Sequence, residues 1–334
     1  MNNLKTGREV VVAGVGLHPF GRFRDKPLAS LALDSVIAAL QDAAVAWKDI
    51  QVAYFGHVYY EGMSFGETSL SKLGLTGIPI INVENACSSG STAFWQAYWG
   101  ISSGVFDIAL AFGAEKVPGG PVSVTSENSP DRYIGGDHMM AGYALRSRRY
   151  MEDTGATPSS LAQVTVKARQ NASLNPYAHR KDTYSVEEVL NSRMIADPLT
   201  LFQCCPTSEG AAAAVLCAKE ALTSYNIDSK RSINVVAAAL TSGNYNGHGS
   251  DHSAFSPYRT EPAALQAYEM SGLGPEDVDL VQVHDAATIG ELQQLEALHL
   301  IPYGEAWAAT IEAVSYTHLR AHETDSYLVC RLLL

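Results

Sequence analysis

The sequence predicts an α/β protein with a parallel or mixed sheet, and two observations carry that expectation. Short apolar runs of strand character alternate with helical segments through the first half of the chain. The pattern of the first run, a strand followed by glycine, returns at residues 233–243, so the architecture reads as a duplication whose second copy is cut short.

Taken in order, "EVVVAGVG" (9–16) is β-branched and closes on glycine, which marks a first strand rather than the long apolar core of a signal peptide. "PLASLALDSVIAALQDA" (27–43) has an amphipathic helical period with Pro27 near its start. "VAYFGHV" (52–58) and "IPIINVENA" (78–86) give two more strands, "SSGSTAFWQAYWGISSG" (88–104) a helix, and "FDIALAFGAE" (106–115) a fourth strand. The helix after Cys87 is apolar nearly all round, so it is expected to be covered on most sides. From about residue 117 the pattern loosens into what reads as an inserted loop domain, helical around 139–152 and 158–172. "CCPTSEGAAAAVLCAKEAL" (204–222) returns to a strand, "INVVAAALTSG" (233–243) gives another, and residues 261–298 read as helix, strand, helix with "DLVQV" as the strand. The expected divisions are 1–116 with 203–222 as the first half, 117–202 as the insertion, and 223–313 as a truncated second half.

Composition narrows the function. With 46% hydrophobic and 17% charged residues the 334-residue chain is globular, and a net charge of −12 without a basic block argues against nucleic acid or an anionic membrane as partner. No apolar run reaches transmembrane length. The five cysteines form neither a disulfide framework nor a CxxC pair, which points to a reduced, cytoplasmic setting. "GHGSDH" (247–252) groups His248, Asp251 and His252 without a third strong ligand or helical register, so no metal site is expected. Residues 314–334 lack Gly, Pro and any clear period, and "VSYTHLRAHET" resembles one reading frame of a transposon-type sequencing adapter. This tail is expected to be non-native, with the natural chain continuing past Ala313 and with Cys330, His318 and His322 outside any site.

Cys87 stands at a junction, after a strand and before Ser88, Ser89, Gly90 and a helix. A helix N-terminus favours a thiolate and offers N–H donors to an oxyanion, so a nucleophile suits the place. A small buried thiol suits it equally by position alone. His284, at the end of "DLVQV", reads from its neighbours as a satisfied strand-end histidine with Asp285 as an N-cap.

Four segments, "VENACSSGSTAF", "VKARQNASLNPYAHR", "CCPTSEGAAAAV" and "VQVHDAATIGELQQLEAL", together resemble the thiolases, specifically the sterol-carrier-protein (lipid-transfer) branch, over residues 8 to 313. The resemblance implies a duplicated five-layered α/β/α/β/α fold with an inserted loop domain, a homodimer or homotetramer, and acyl-CoA as substrate with no covalently bound cofactor. It makes Cys87 the acyl-accepting nucleophile and His284 a ligand of the thioester oxygen. It places Ser208 beside the pantetheine arm of coenzyme A, with Arg146, Arg148, Arg149, Lys167 and Arg169 as basic candidates for its grip, Arg146 and Arg149 foremost. The family's Gly-His-Pro and Cys-x-Gly motifs, which supply the base and the acid, do not occur in these 334 residues, so turnover by this polypeptide is not expected. Two other readings stay open. One is a retro-aldol lyase acting on steroid side-chain CoA esters with a small OB-fold/zinc-ribbon partner, and the other is a non-catalytic acyl-CoA binder.

Overall fold

A computed structural model describes residues 7–59, 62–120, 122, 130–133, 136–242 and 260–312. The "GHGSDH" stretch and the 314–334 tail lie outside them. In chain order the elements are β1 (Val10–Gly21), α1 (Leu28–Ala43), β2 (Ala53–Gly56), α2 (Phe65–Leu70), β3 (Ile80–Val83), α3 (Ser89–Ser102) and β4 (Ile108–Lys116). The insertion gives α4 (Pro130–Tyr133), α5 (Met139–Thr154), α6 (Pro158–Leu174), α7 (Val186–Leu190) and a small antiparallel pair, β5 (Met194–Ala196) with β6 (Leu199–Thr200). Then follow β7 (Glu209–Ala218), β8 (Ile233–Val235), α8 (Glu261–Ser271), α9 (Thr288–Ala297) and α10 (Ala306–Ile311).

The main sheet is mixed, in the order β3-β2-β4-β7-β1-β8. β3, β2 and β4 run parallel, while β7 is antiparallel to β4 and to β1. Side chains alternate faces along a strand, so the register assigns the helices to layers. Gly16, Ala213, Phe112 and Phe55 form one cross-strand row, and Leu17, Ala212, Gly113 and Gly56 form the next. A Cβ on Gly16 would fall 2.0 Å from Ser35 O of α1, whereas one on Gly56 would fall 2.7 Å from Gly90 N of α3. The two helices therefore cover opposite faces. Small residues at Ala212, Gly113 and Gly56 under α3 let its first turn sink onto the sheet, and Cys87 lies just ahead of that turn.

Two departures from the sequence expectation have one cause. The strand at 233–243 shrinks to three residues, and "DLVQV" (279–283) makes no ladder. A strand persists only where a neighbour takes its N–H and C=O groups, and among the described residues none runs beside 279–283. The insertion, in turn, is not a separate globule. Met139, Tyr143, Tyr150, Leu161 and Val164 pack in one core with Ile289, Leu292, Leu295 and Ile301 of the second half.

Candidate active site

Parallel strands β2, β3 and β4 end at the same edge at which antiparallel β7 begins. Residues 84–90 leave β3 there, and residues 204–208 enter β7 there. Cys205 N donates to Ala286 O at 3.0 Å, and Cys204 forms an isolated bridge with Ala287. The loop carrying His284 is thereby brought to the edge that carries Cys87, although the two lie 197 positions apart (284 − 87).

The turn before α3 is wired by side chains that sequence reading left unassigned. Ala86 takes a left-handed φ of 46°, unusual for a residue with a Cβ, and its N–H donates to Glu84 Oε1 at 2.7 Å. Ser89 Oγ accepts from Asn85 N at 2.9 Å and donates to Ala86 O at 2.7 Å, while Asn85 Nδ2 donates to Thr92 Oγ1 at 2.9 Å. Cys87, half-buried, sits inside this braced turn and immediately before the fourteen-residue helix α3. Burial pushes the Cys204 and Cys217 thiols up to about 12, so both stay protonated near neutrality. Cys204 and Cys205 are half-buried, precede β7 and line a cavity.

His284 is held by α9. Gln294 Oε1 accepts the His284 N–H at 3.1 Å, and Gln294 Nε2 donates to the His284 carbonyl in a short contact. A Cβ on Gly290 would lie 2.8 Å from that carbonyl, so the helix needs glycine there. The helix starts at Thr288 with Ala287 as N-cap, which corrects the expectation that Asp285 caps it. α9 is itself fixed from the insertion by buried polar pairs. Lys167 on α6 meets Glu291, Arg146 on α5 donates to Gln293 Oε1 at 2.8 Å, and Tyr150 donates to Glu296 at 2.5 Å.

These pairs redirect the basic candidates. Arg146 is engaged with Gln293 and lies over the Tyr143 ring at 5.1 Å, Arg149 is an exposed partner of Asp153, Arg148 pairs with Asp197, and Lys167 pairs with Glu291. None of the four lines the large cavity beside residues 204–207. That cavity, 880 Å³, is lined instead by Arg22, Arg169, Arg180 and Arg193 among mostly apolar walls, within the usual range of small-molecule sites of roughly 300–1,000 Å³. Ser208, one residue beyond that lining, is buried, and its hydroxyl lies 2.7 Å from His179 Nδ1. Burial, reinforced by Arg180, Arg22 and Arg169, holds the His179 pKa below the usual imidazole value and keeps the ring neutral. His179 lay within one of the quoted segments, but no local signal there marked it. No group of three metal-binding side chains occurs among the described residues, and none of their helices is long and apolar enough to cross a membrane.

Comparison with known families agrees with this architecture. Residues 10–220 match the thiolase N-terminal domain and residues 242–318 the thiolase C-terminal domain-like family, so the chain belongs to the thiolase family of acyltransferases. It is 41% identical over 310 residues to the benzoylsuccinyl-CoA thiolase subunit BbsB of Thauera aromatica, covering 90% of this chain and 78% of that protein. An acetyl-CoA acetyltransferase of Methanothermobacter thermautotrophicus is 34% identical, covering 90% and 80%. Sterol carrier protein 2 of Bos taurus is also 34% identical, with 89% of this chain covered, but the chain spans only 58% of that protein. Among solved structures, an Ltp2-ChsH2(DUF35) aldolase superposes with a TM-score of 0.79 at 22% identity, covering 96% of this chain and 84% of that one. Human mitochondrial 3-ketoacyl-CoA thiolase in complex with CoA gives 0.73 at 16%, covering 98% and 89%. At such identities the structural likeness speaks for the fold alone.

Proposed function

We propose that Cys87 accepts an acyl group from an acyl-CoA thioester and that His284 binds the thioester oxygen. The observation that carries this reading is that the Cys87 turn leaves the same end of the sheet at which β7 begins, where Cys205 bonds Ala286 of the His284 loop. In the degradative direction the Cys87 thiolate adds to the 3-keto carbonyl of a 3-ketoacyl-CoA. The C2–C3 bond breaks, the departing enolate takes up a proton to give acetyl-CoA, and the acyl group stays on sulfur. The thiolate of free CoA then displaces the cysteine and carries the acyl group away, so one difficult step becomes two easier ones. In the synthetic direction the acyl-cysteine is attacked by an acetyl-CoA enolate. The position of Cys87 at the positive end of α3 favours the thiolate that both directions need.

Ser208 and the arginine-lined cavity mark where the CoA ester enters. The protein acts in the cytoplasm as a homodimer or homotetramer, and with neither Gly-His-Pro nor Cys-x-Gly in its sequence this polypeptide loads an acyl group without rapid turnover. The test is peptide-resolved mass spectrometry after incubation with acetyl-CoA. An acetyl adduct on Cys87 that Cys87→Ala removes supports the reading, and its absence in both proteins overturns it. A second reading is retro-aldol cleavage of a CoA ester with a small partner protein, and the Ltp2-ChsH2(DUF35) aldolase shows that this fold occurs in an aldolase. Carbon–carbon cleavage that survives Cys87→Ala and requires such a partner would select that one.

A further inference from the structure

We propose that the arginine-lined cavity selects CoA thioesters whose acyl group carries a free carboxylate. This rests on the acyl-CoA reading above and adds a substrate class to it. Arg169 is only 6% exposed, yet its Nη1 has no hydrogen-bond partner among the described residues. Its guanidinium carbon lies 5.9 Å from the centroid of the Tyr184 ring, which stacks on Phe202 at 4.2 Å and 13°. The cation packs toward an aromatic pair, and no acid among the described residues forms an ion pair with it. Arg180 and Arg193 line the same space and form no ion pair among the described residues, while Arg22 is already balanced by Glu209 at 3.6 Å. Burying a cation without an anion is costly, and a protein of net charge −12 has acids in plenty. Among the described residues the lining of the cavity carries no acid, so the negative charge is assigned to the ligand.

The position of the cavity favours a carboxylate on the acyl group over the phosphates of CoA. Cys205 lines the cavity and bonds Ala286, two residues beyond His284, so this space adjoins the loop assigned to the reacting carbonyl. The CoA phosphates sit at the far end of the pantetheine arm from that carbonyl. Apolar walls carrying a few cations also match a carbon chain with one charged end better than a diphosphate, and a planar guanidinium pairs with a carboxylate through two parallel hydrogen bonds.

The test is calorimetric binding of succinyl-CoA, butyryl-CoA and free CoA to the 334-residue chain, the two esters having acyl chains of equal length that differ by carboxylate against methyl. Succinyl-CoA is expected to bind at least about tenfold more tightly than butyryl-CoA, the size of one charged hydrogen-bonding interaction. Arg169→Gln is expected to reduce that ratio to within about twofold, and Arg193→Gln, at an exposed position that tolerates change, to lower it as well should the buried variant not fold. Equal affinities for the two esters in the unaltered protein overturn the carboxylate assignment and leave the acyl-transfer reading standing. So does a uniform loss for both esters and free CoA in Arg169→Gln, which would assign the arginine to the phosphates. Failure of every CoA compound to bind removes both readings.

Discussion

Gln294 grips His284 at two points, accepting its backbone N–H at 3.1 Å and donating to its carbonyl, so the imidazole leaves a peptide unit fixed by the next helix. Gln294→Leu is expected to slow acylation of Cys87 by about tenfold or more, since a small misplacement of a binding group costs that much. Alkylation of Cys87 by iodoacetamide should stay unchanged. Gln294→Glu, which keeps the acceptor and loses the donor, should fall between the two. Equal loss of alkylation and acylation would make Gln294 a merely structural residue.

Lys167 and Glu291 form a buried ion pair between α6 and α9. Removing one member leaves the other charge unpaired, so Lys167→Met should lower unfolding free energy by ~3–5 kcal/mol. The double variant Lys167→Met/Glu291→Leu should recover most of it. Urea denaturation of the single and double variants reads both effects.

Gly56 lies against the backbone of Ser89 and Gly90. Gly56→Ala should push the first turn of α3 off the sheet, at a cost of about 1–3 kcal/mol for overpacking. Because Cys87 lies just ahead of that turn, its alkylation rate should change in the same variant. An unchanged rate with full stability would mean that α3 does not rest on the sheet as described.

His179 has its pKa lowered mainly by burial, so the folded protein binds a proton there less readily than the unfolded chain. The stability it contributes is present above the usual value of 6.5 and is lost as pH falls through the depressed folded pKa. His179→Gln should flatten the acid side of the curve of melting temperature against pH. A curve of identical shape in the variant would show that the imidazole titrates as it does in the unfolded chain.

The first-half strands and helices were legible because each is a contiguous run with its own period, bounded by glycine or proline. Cys87 and His284 stood out as junction residues, but position alone left the first open and read the second as structural, and only the family resemblance gave them roles. The arginine pocket as a whole was not legible, because Arg22 and Arg193 join Arg169 and Arg180 of the quoted segment only through the fold. The resemblance put Arg146 and Arg149 foremost for the coenzyme grip, whereas in the fold Arg146 bonds Gln293 of α9 and Arg149 pairs with Asp153 one turn further along α5 itself. The expected strand at 279–283 fails for a related reason, since strand pairing is a property of neighbours and a single run does not reveal whether one is present. The polar side chains of "GELQQLEAL" carried no sign of burial either, because their partners lie on the insertion more than a hundred residues away.

Arg169 and Lys167 are two residues apart on α6, and Lys167 reaches the helix whose Gln294 holds His284. The insertion is therefore no loose lid over a finished pocket. An anion bound as proposed at Arg169 would sit on the same helix that is tied to α9 by the Lys167–Glu291 pair. Choosing the cargo and tuning the geometry that receives it become one mechanical act.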